Sequence, residues 1–317
     1  MKNLQISLIS FILAIALVGS AFAQNYEFKV MASKGKPVVQ KDNSKTWNKI
    51  KLGTKIFSKD KIKLTGKSYI SLVHKTGKTV ELKKEGTYSV KELSKKMGSK
   101  GSNVSKRFSD YLLDEISSSD DLLASGDHRD NMEITGSVER SMNTQPFINK
   151  KALQLNSPRK ANLLNNVFTV RWHEFENAKE YEFILSDRFD KPITTKNVHG
   201  TFLTVDASEL NLDKDTYYFW KVKAKGDDKN KSDDACFLIL SDEKAKAIRD
   251  TVEIIKSEVG GDKNASAKII LAAFYEQNYI IDEALKAYRE AVVLAPDVDI
   301  YTKLYKRFLN RIKVTEK

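Results

Sequence analysis

The sequence predicts a multidomain chain, β-rich first and α-helical last, and three observations predict it. Residues 28–93 break into short β-branched and aromatic runs punctuated by glycines. Residues 151–240 alternate apolar and polar over longer runs. Residues 242–314 then change to helical spacing. The chain has 317 residues, of which about 294 remain once an expected leader is set aside, enough for two or three domains each with its own core. Cys236 is the single cysteine, so no intramolecular disulfide can form and the domains must hold together by burial. Its neighbours Phe237-Leu238-Ile239-Leu240 place it on a strand as a small hydrophobe, with no local base to make it reactive.

The first element is an export signal. Lys2 provides a positive start, Leu8 to Val18 is apolar apart from Ser10, and Ala21 and Ala23 stand where signal peptidase requires small residues. Cleavage after Ala23 is expected, leaving Gln24 as the mature N-terminus. The alternative, an uncleaved anchor, would need roughly 20 apolar residues, more than this run supplies. No cysteine follows the site to carry a lipid, and no later run is long enough to span. The expectation is therefore a periplasmic or secreted protein, soluble or peripheral, with no transmembrane span after cleavage.

The next element is a β-domain, 24–94. Val38-Val39, Ile50–Leu52, Lys55–Phe57, Ile62–Leu64, Tyr69–Val73, Thr79–Leu82 and Tyr88–Val90 read as strands, separated by Gly53, Gly66, Gly77 and Gly86. No helix-length pattern lies between them, which points to an all-β sandwich or barrel-like unit. The run Leu52-Gly53-Thr54-Lys55 through Asp60-Lys61-Ile62, then Thr65-Gly66-Lys67-Ser68, Leu72, Thr76-Gly77-Lys78-Thr79 and Leu82, resembles the FecR-like domain over about 60 residues. It departs from that pattern at Lys63, where Arg is common, and at Thr76, where Asp precedes the glycine. The resemblance implies a small exported β-domain. It does not imply sigma-factor signalling, which needs a cytoplasmic domain and a membrane span ahead of this unit. Gly66-Lys67-Ser68 and Gly77-Lys78-Thr79 mimic the tail of a phosphate loop. Lys61 and Leu72 stand where its first glycine belongs, and strands follow where a helix must begin, so both are turns.

Charge is segregated. Residues 24–108 carry 22 Lys/Arg against 6 Asp/Glu, residues 109–140 carry 2 against 9, and the remainder up to Lys317 is nearly balanced. Such a positive segment attracts anionic glycan, lipid headgroup or nucleic acid. Lysine dominates where phosphate reading favours arginine, and the export signal argues against nucleic acid. Lys55, Lys59, Lys61, Lys63 and Lys67 are the candidate polyanion-binding residues. The competing reading is a solvated lysine surface that guards sheet edges against aggregation.

Residues 95–150 read as a linker containing one helix and an acidic stretch. After the Lys/Ser/Gly run Ser94–Gly101, Ser102 or Asn103 caps a helix with Val104, Phe108, Leu112 and Ile116 on one face. Ser117 to Asn131 is polar and acidic. Its aspartates, Asp120, Asp121, Asp127 and Asp130, lack the ligand order of a calcium loop and read as flexible linker.

Alternation returns in 151–240. Val170-x-Trp172, Ala178-x-x-Tyr181-x-Phe183, and Leu212 followed by Tyr218-x-Trp220-x-Val222-x-Ala224 resemble a fibronectin type III or related immunoglobulin-like sandwich over about 85 residues. Period 2 sets Tyr218, Trp220, Val222 and Ala224 on one face, the expected inter-sheet core, and Trp172 and Trp220 are read as core residues. The last domain, 241–317, begins with a helix capped by Ser241 or Asp242 and ended by Gly260-Gly261. Leu271, Ala272, Tyr275, Ala284, Tyr288, Ala291 and Pro296 then follow tetratricopeptide spacing, with Lys268 in place of the first aromatic. A final helix sets Ile300, Leu304, Phe308 and Ile312 on one stripe, as a cap for the bundle. Its other side, Lys303, Lys306, Arg307 and Arg311, is the candidate partner face.

No motif of an active site emerges. His74, His128, His173 and His199 have no metal-ligand spacing, there is no G-x-S-x-G elbow, and Glu174 and Glu176 read as a solvated strand edge. The expectation is a non-enzymatic envelope protein without cofactor or metal, binding or scaffolding a protein partner. The alternative is an anionic glycan or lipopolysaccharide held by the N-terminal lysines. These domain types bind more often than they react, which is analogy at the level of fold.

Overall fold

The computed structural model describes residues 25–98, 101, 103–117, 153–157, 159–175, 178–226, 230–261 and 263–314. The expected leader 1–23 and the acidic stretch beyond Ser117 lie outside them. Strands come first and helices last, as the change of period requires.

The N-terminal part is built from β1 (Phe28–Lys34), β2 (Val38–Gln40), β3 (Trp47–Lys49), β4 (Lys55–Ile56), β5 (Lys61–Leu64), β6 (Tyr69–His74), β7 (Thr79–Leu82) and β8 (Gly86–Ser89). They form two antiparallel four-stranded sheets, β4-β1-β6-β7 and β3-β2-β5-β8. Alternation sends Phe28, Val30, Val39, Ile62, Leu64, Ile70 and Leu72 into one shared core. The expected strand at 50–52 is instead a turn, because Ile50 is pulled inward by its N–H to Pro37 O (3.2 Å) and the edge strand forms earlier, at Trp47–Lys49. The last expected strand stops at Ser89, where α1 (Val90–Met97) begins, burying Val90 and Leu93 in the same core and ending at Gly98. The Lys/Ser/Gly run is thus partly helical.

The helix expected in the linker, α2 (Asn103–Ser117), is no linker element. Phe108, Leu112, Leu113 and Ile116 are buried, and Phe108 meets Phe274 edge-on with ring centroids 5.2 Å apart. It crosses the β6–β7 turn so closely that a Cβ on Gly77 would come 2.4 Å from the Lys106 nitrogen, and Gly77 also has φ +88°. Glycine is required there on both counts.

The second β-layer pair contains β9 (Lys160–Leu163), β10 (Val167–Arg171), β11 (Glu180–Ser186), β12 (Pro192–His199), β13 (Phe202–Asp206), β14 (Tyr217–Ala224) and β15 (Ala235–Ile239). The sheet β12-β11-β14-β15-β9, with β9 parallel to β15, faces the pair β10-β13. Tyr218, Trp220, Val222 and Ala224 are buried along β14, and Trp172 is buried against Tyr181. The Cys236 thiol is buried on β15, and burial raises its pKa to about 11.

Four helices follow: α3 (Asp242–Glu258), α4 (Ala265–Gln277), α5 (Ile281–Leu294) and α6 (Asp299–Ile312). The small and aromatic residues at repeat spacing lie on α4 and α5, with Ala272, Ala284, Tyr288 and Ala291 buried between them. Lys268, standing where that pattern has an aromatic, reaches Glu290 across the helix pair (2.5 Å). Asn264 caps α4 by accepting from Ala267 N–H (2.7 Å).

These parts share surfaces. Six consecutive residues of β6 are buried, because Ile70 and Leu72 face the β-core while Tyr69 and Val73 face the helices. Tyr69 and Tyr301 join hydroxyls at 3.0 Å, Thr79 Oγ1 donates to Val259 O (2.9 Å), and the Glu81 carboxylate accepts from Ser266 N–H (2.9 Å) and Oγ–H (2.8 Å) at the start of α4. On the other side, Asn162 N–H donates to Tyr279 O (2.7 Å), and Lys160 lies over the Tyr279 ring (4.5 Å). One apolar cluster runs from Met31 and Tyr69 through the helices to Trp172 and Trp220.

Candidate polyanion-binding face

The outward side of the β3-β2-β5-β8 sheet is set by register. Inward Ile62 and Val39 pair with each other, so the residues flanking them point to solvent. Two rows result: Lys49, Val38, Lys63 and Thr87, then Trp47, Gln40, Lys61 and Ser89. Lys49, Lys61 and Lys63 are exposed, and their ammonium groups make no ion pair or hydrogen bond among the described residues. Trp47 is 37% exposed, whereas Trp172 and Trp220 are 2% and 3% exposed. Lys63 Nζ reaches across β2 to lie 5.7 Å from the Trp47 ring centroid.

The five lysines expected to act together do not share one face. Lys61 and Lys63 stand side by side on this sheet. Lys55 is on β4 of the other sheet, beside Lys29 and over the Tyr26 ring (5.9 Å). Lys59 is in a turn and pairs with Asp42 (3.2 Å). Lys67 is past the end of β5, near Asp297, whose carboxyl is held below its usual range mainly by Lys34. Lys49 and Trp47 were not singled out by the sequence reading, because β3 is too short to show alternation. Pairing with β2 brings them onto this face.

The basic side of α6 also divides. Arg311 donates from Nε and Nη2 to Glu276 (2.6 and 2.9 Å) and from Nη1 to Glu115 (2.6 Å), and Arg307 donates to Glu115 O (3.2 Å). Burial opposes the charge of Arg311, but the two carboxylates outweigh it and hold its pKa above the usual range. Only Lys303 and Lys306 of the expected partner face are exposed without a partner among the described residues.

His74 forms the densest polar cluster of the β-domain. Its Nδ1 accepts from Thr76 N–H (3.3 Å) beside Thr76 Oγ1 (2.8 Å), and its Nε2 faces Ser94 Oγ (3.1 Å) and Glu27 Oε2 (3.4 Å). Ser94 donates to Glu27, which also accepts from Lys75 (2.8 Å). This pattern puts the ring proton on Nε2, facing Ser94, whereas a base activating that hydroxyl must offer a lone pair there. Burial holds His74 below its ordinary pKa. The cluster ties α1 to the sheet. Of the other histidines, His128 lies outside the described residues.

No family model and no curated protein sequence matches the chain. Among solved structures, an Fn3-like protein from Clostridium thermocellum is similar over 28% of this chain and 90% of its own, at 19% identity and TM-score 0.21. A beta-1,2-glucanase from Parabacteroides distasonis is similar over 45% of this chain and 24% of its own, at 15% identity and TM-score 0.22. Neither similarity bears on function.

Proposed function

We propose that the chain is an exported, non-enzymatic binding protein of the cell envelope that holds an anionic polymer on the open sheet of its FecR-like β-domain. The fibronectin-like sandwich and the tetratricopeptide-like helices then act as its support. The observation that carries this reading is the juxtaposition of Lys49, Lys61 and Lys63, all exposed and without carboxylate partners among the described residues, around the exposed Trp47. Natural surfaces intersperse both signs of charge, so a sheet face of one sign is suited to an acidic partner. Scaffolding of a protein through the helices is less favoured. α4 is covered by the chain's own elements, and Arg307 and Arg311 are engaged internally.

The test is retention of the mature protein on an immobilised acidic polysaccharide, eluted by rising salt. Replacing Lys49, Lys61 and Lys63 by Glu should bring elution to markedly lower salt. The same number of charge reversals at Lys55, Lys59 and Lys67 should shift it much less. Equal shifts in both variants would mean that net charge acts without a site. Salt-insensitive behaviour of all three proteins would remove the polyanion reading.

A further inference from the structure

Resting on that reading, we infer that the polymer is an acidic polysaccharide, bound with a sugar ring against Trp47 and its acid groups on Lys61, Lys63 and Lys49. The face combines three kinds of group that such a polymer needs. The indole is a flat apolar plate at the sheet edge, suited to the C–H face of a pyranose ring. Gln40, Thr87 and Ser89 lie in the same two rows and offer amide and hydroxyl groups to sugar hydroxyls. The ammonium groups are spaced by the sheet. Lys61 and Lys63 are two residues apart on one strand, about 7 Å, and Lys49 and Lys63 are two strands apart, about 10 Å. A chain crossing the sheet meets charge at intervals comparable to one or two sugar residues.

Lys63 already rests over the Trp47 ring, so an acid group on a stacked sugar would find an ammonium beside it. An exposed cation–π contact of this kind is weak enough to be exchanged for a charge-assisted hydrogen bond. Inorganic polyphosphate would use the lysines but leave the indole and the hydroxyl row without a role. Single-stranded nucleic acid could stack a base on Trp47. However, every cation between residues 24 and 106 is lysine, and the arginine fork suited to phosphate is missing from this domain.

The three tryptophans make the test direct, since Trp47 alone among them is open to a quencher. Acrylamide quenching of the mature protein would be followed while adding polygalacturonate, neutral dextran, inorganic polyphosphate or oligo(dT). Polygalacturonate should shield the accessible fraction, and dextran should not. Trp47→Leu should weaken polygalacturonate binding about tenfold, measured calorimetrically, with unchanged thermal melting. Polyphosphate binding as tightly as polygalacturonate, with no effect of Trp47→Leu on either, would overturn the glycan assignment while leaving the polyanion site standing. Tighter, Trp47-dependent binding of oligo(dT) would overturn it in favour of nucleic acid. Failure of every polymer to bind would overturn the underlying reading as well.

Discussion

The Arg311 guanidinium sits between two carboxylates, and the consequences are those of burial rather than of surface charge. Glu276 is almost wholly buried, and its carboxylate takes two bonds from Arg311 and one from Tyr288 Oη–H (2.8 Å). Bidentate geometry gives this pair direction as well as attraction. Replacing Arg311 with Met keeps most of the packing volume but leaves Glu276 without its countercharge. A stranded buried charge costs roughly 3–5 kcal/mol, so Arg311→Met should destabilise the protein by about 3 kcal/mol in urea denaturation. Adding Glu276→Leu in the same chain should recover part of that loss, because Glu276 no longer brings a buried charge, while the Glu115 carboxylate still lacks its guanidinium partner. A loss below about 1 kcal/mol for the single variant would show that the carboxylate finds water instead. Lys303 and Lys306, one to two turns away on the same helix, should be replaceable by Ala within about 0.5 kcal/mol.

At the scale of elements, α4 is the member enclosed on the most sides. Ala265 through Phe274 are almost all buried, with α5, α2 and β7 packed around them. Ala272 has no exposed surface, so Ala272→Leu adds volume where none is free, and overpacking should cost about 1–3 kcal/mol. The matching change at exposed Ala247 on α3 should stay within about 0.5 kcal/mol, and thermal or urea unfolding of the two variants separates packing from helix propensity. The period of α4 and α5, and the alternation of β14, are local signals, and both were readable without coordinates. Lys61 and Lys63 share a face for the same reason, since period 2 suffices. Lys55, Lys59 and Lys67 have the same local composition, but their positions depend on which strand pairs with which. The helix at Asn103–Ser117 showed its apolar stripe in sequence. Its partner, Phe274, lies far along the chain, and nothing within the stripe identifies it. Likewise β6 lacks polar alternation, which signals burial on both faces, but only the fold shows that helices cover the second one.

For the whole molecule, the shared surfaces decide how it unfolds. The β4-β1-β6-β7 sheet has one face in the N-terminal core and the other, through Met31, Tyr69 and Val73, in the cluster that continues into the helices. β9 of the second sandwich is tied to the α4–α5 turn by Asn162 and Lys160. Removing 242–317 would therefore uncover apolar surface on both β-parts at once. Buried apolar area contributes about 25 cal/mol per Å², and losing a shared interface takes that contribution from every partner. The truncated chain 24–241 should bind an apolar dye, aggregate on mild warming and unfold at lower urea than the intact protein. In the intact protein, helix content followed by circular dichroism and the emission of buried Trp172 and Trp220 should change in one coincident transition, because helices and second sandwich share a core. Two separated transitions, with a truncated chain as stable as its parent, would instead mean independent modules. The sheet proposed to hold the polymer should be sensitive to this coupling. Its outward face carries exposed lysines, and its inward face packs on the sheet whose other side meets the helices. Loss of 242–317 should therefore weaken binding at Trp47 and the lysines through loss of structure alone, whereas charge reversal at Lys49, Lys61 and Lys63 should remove binding with the unfolding transition unchanged.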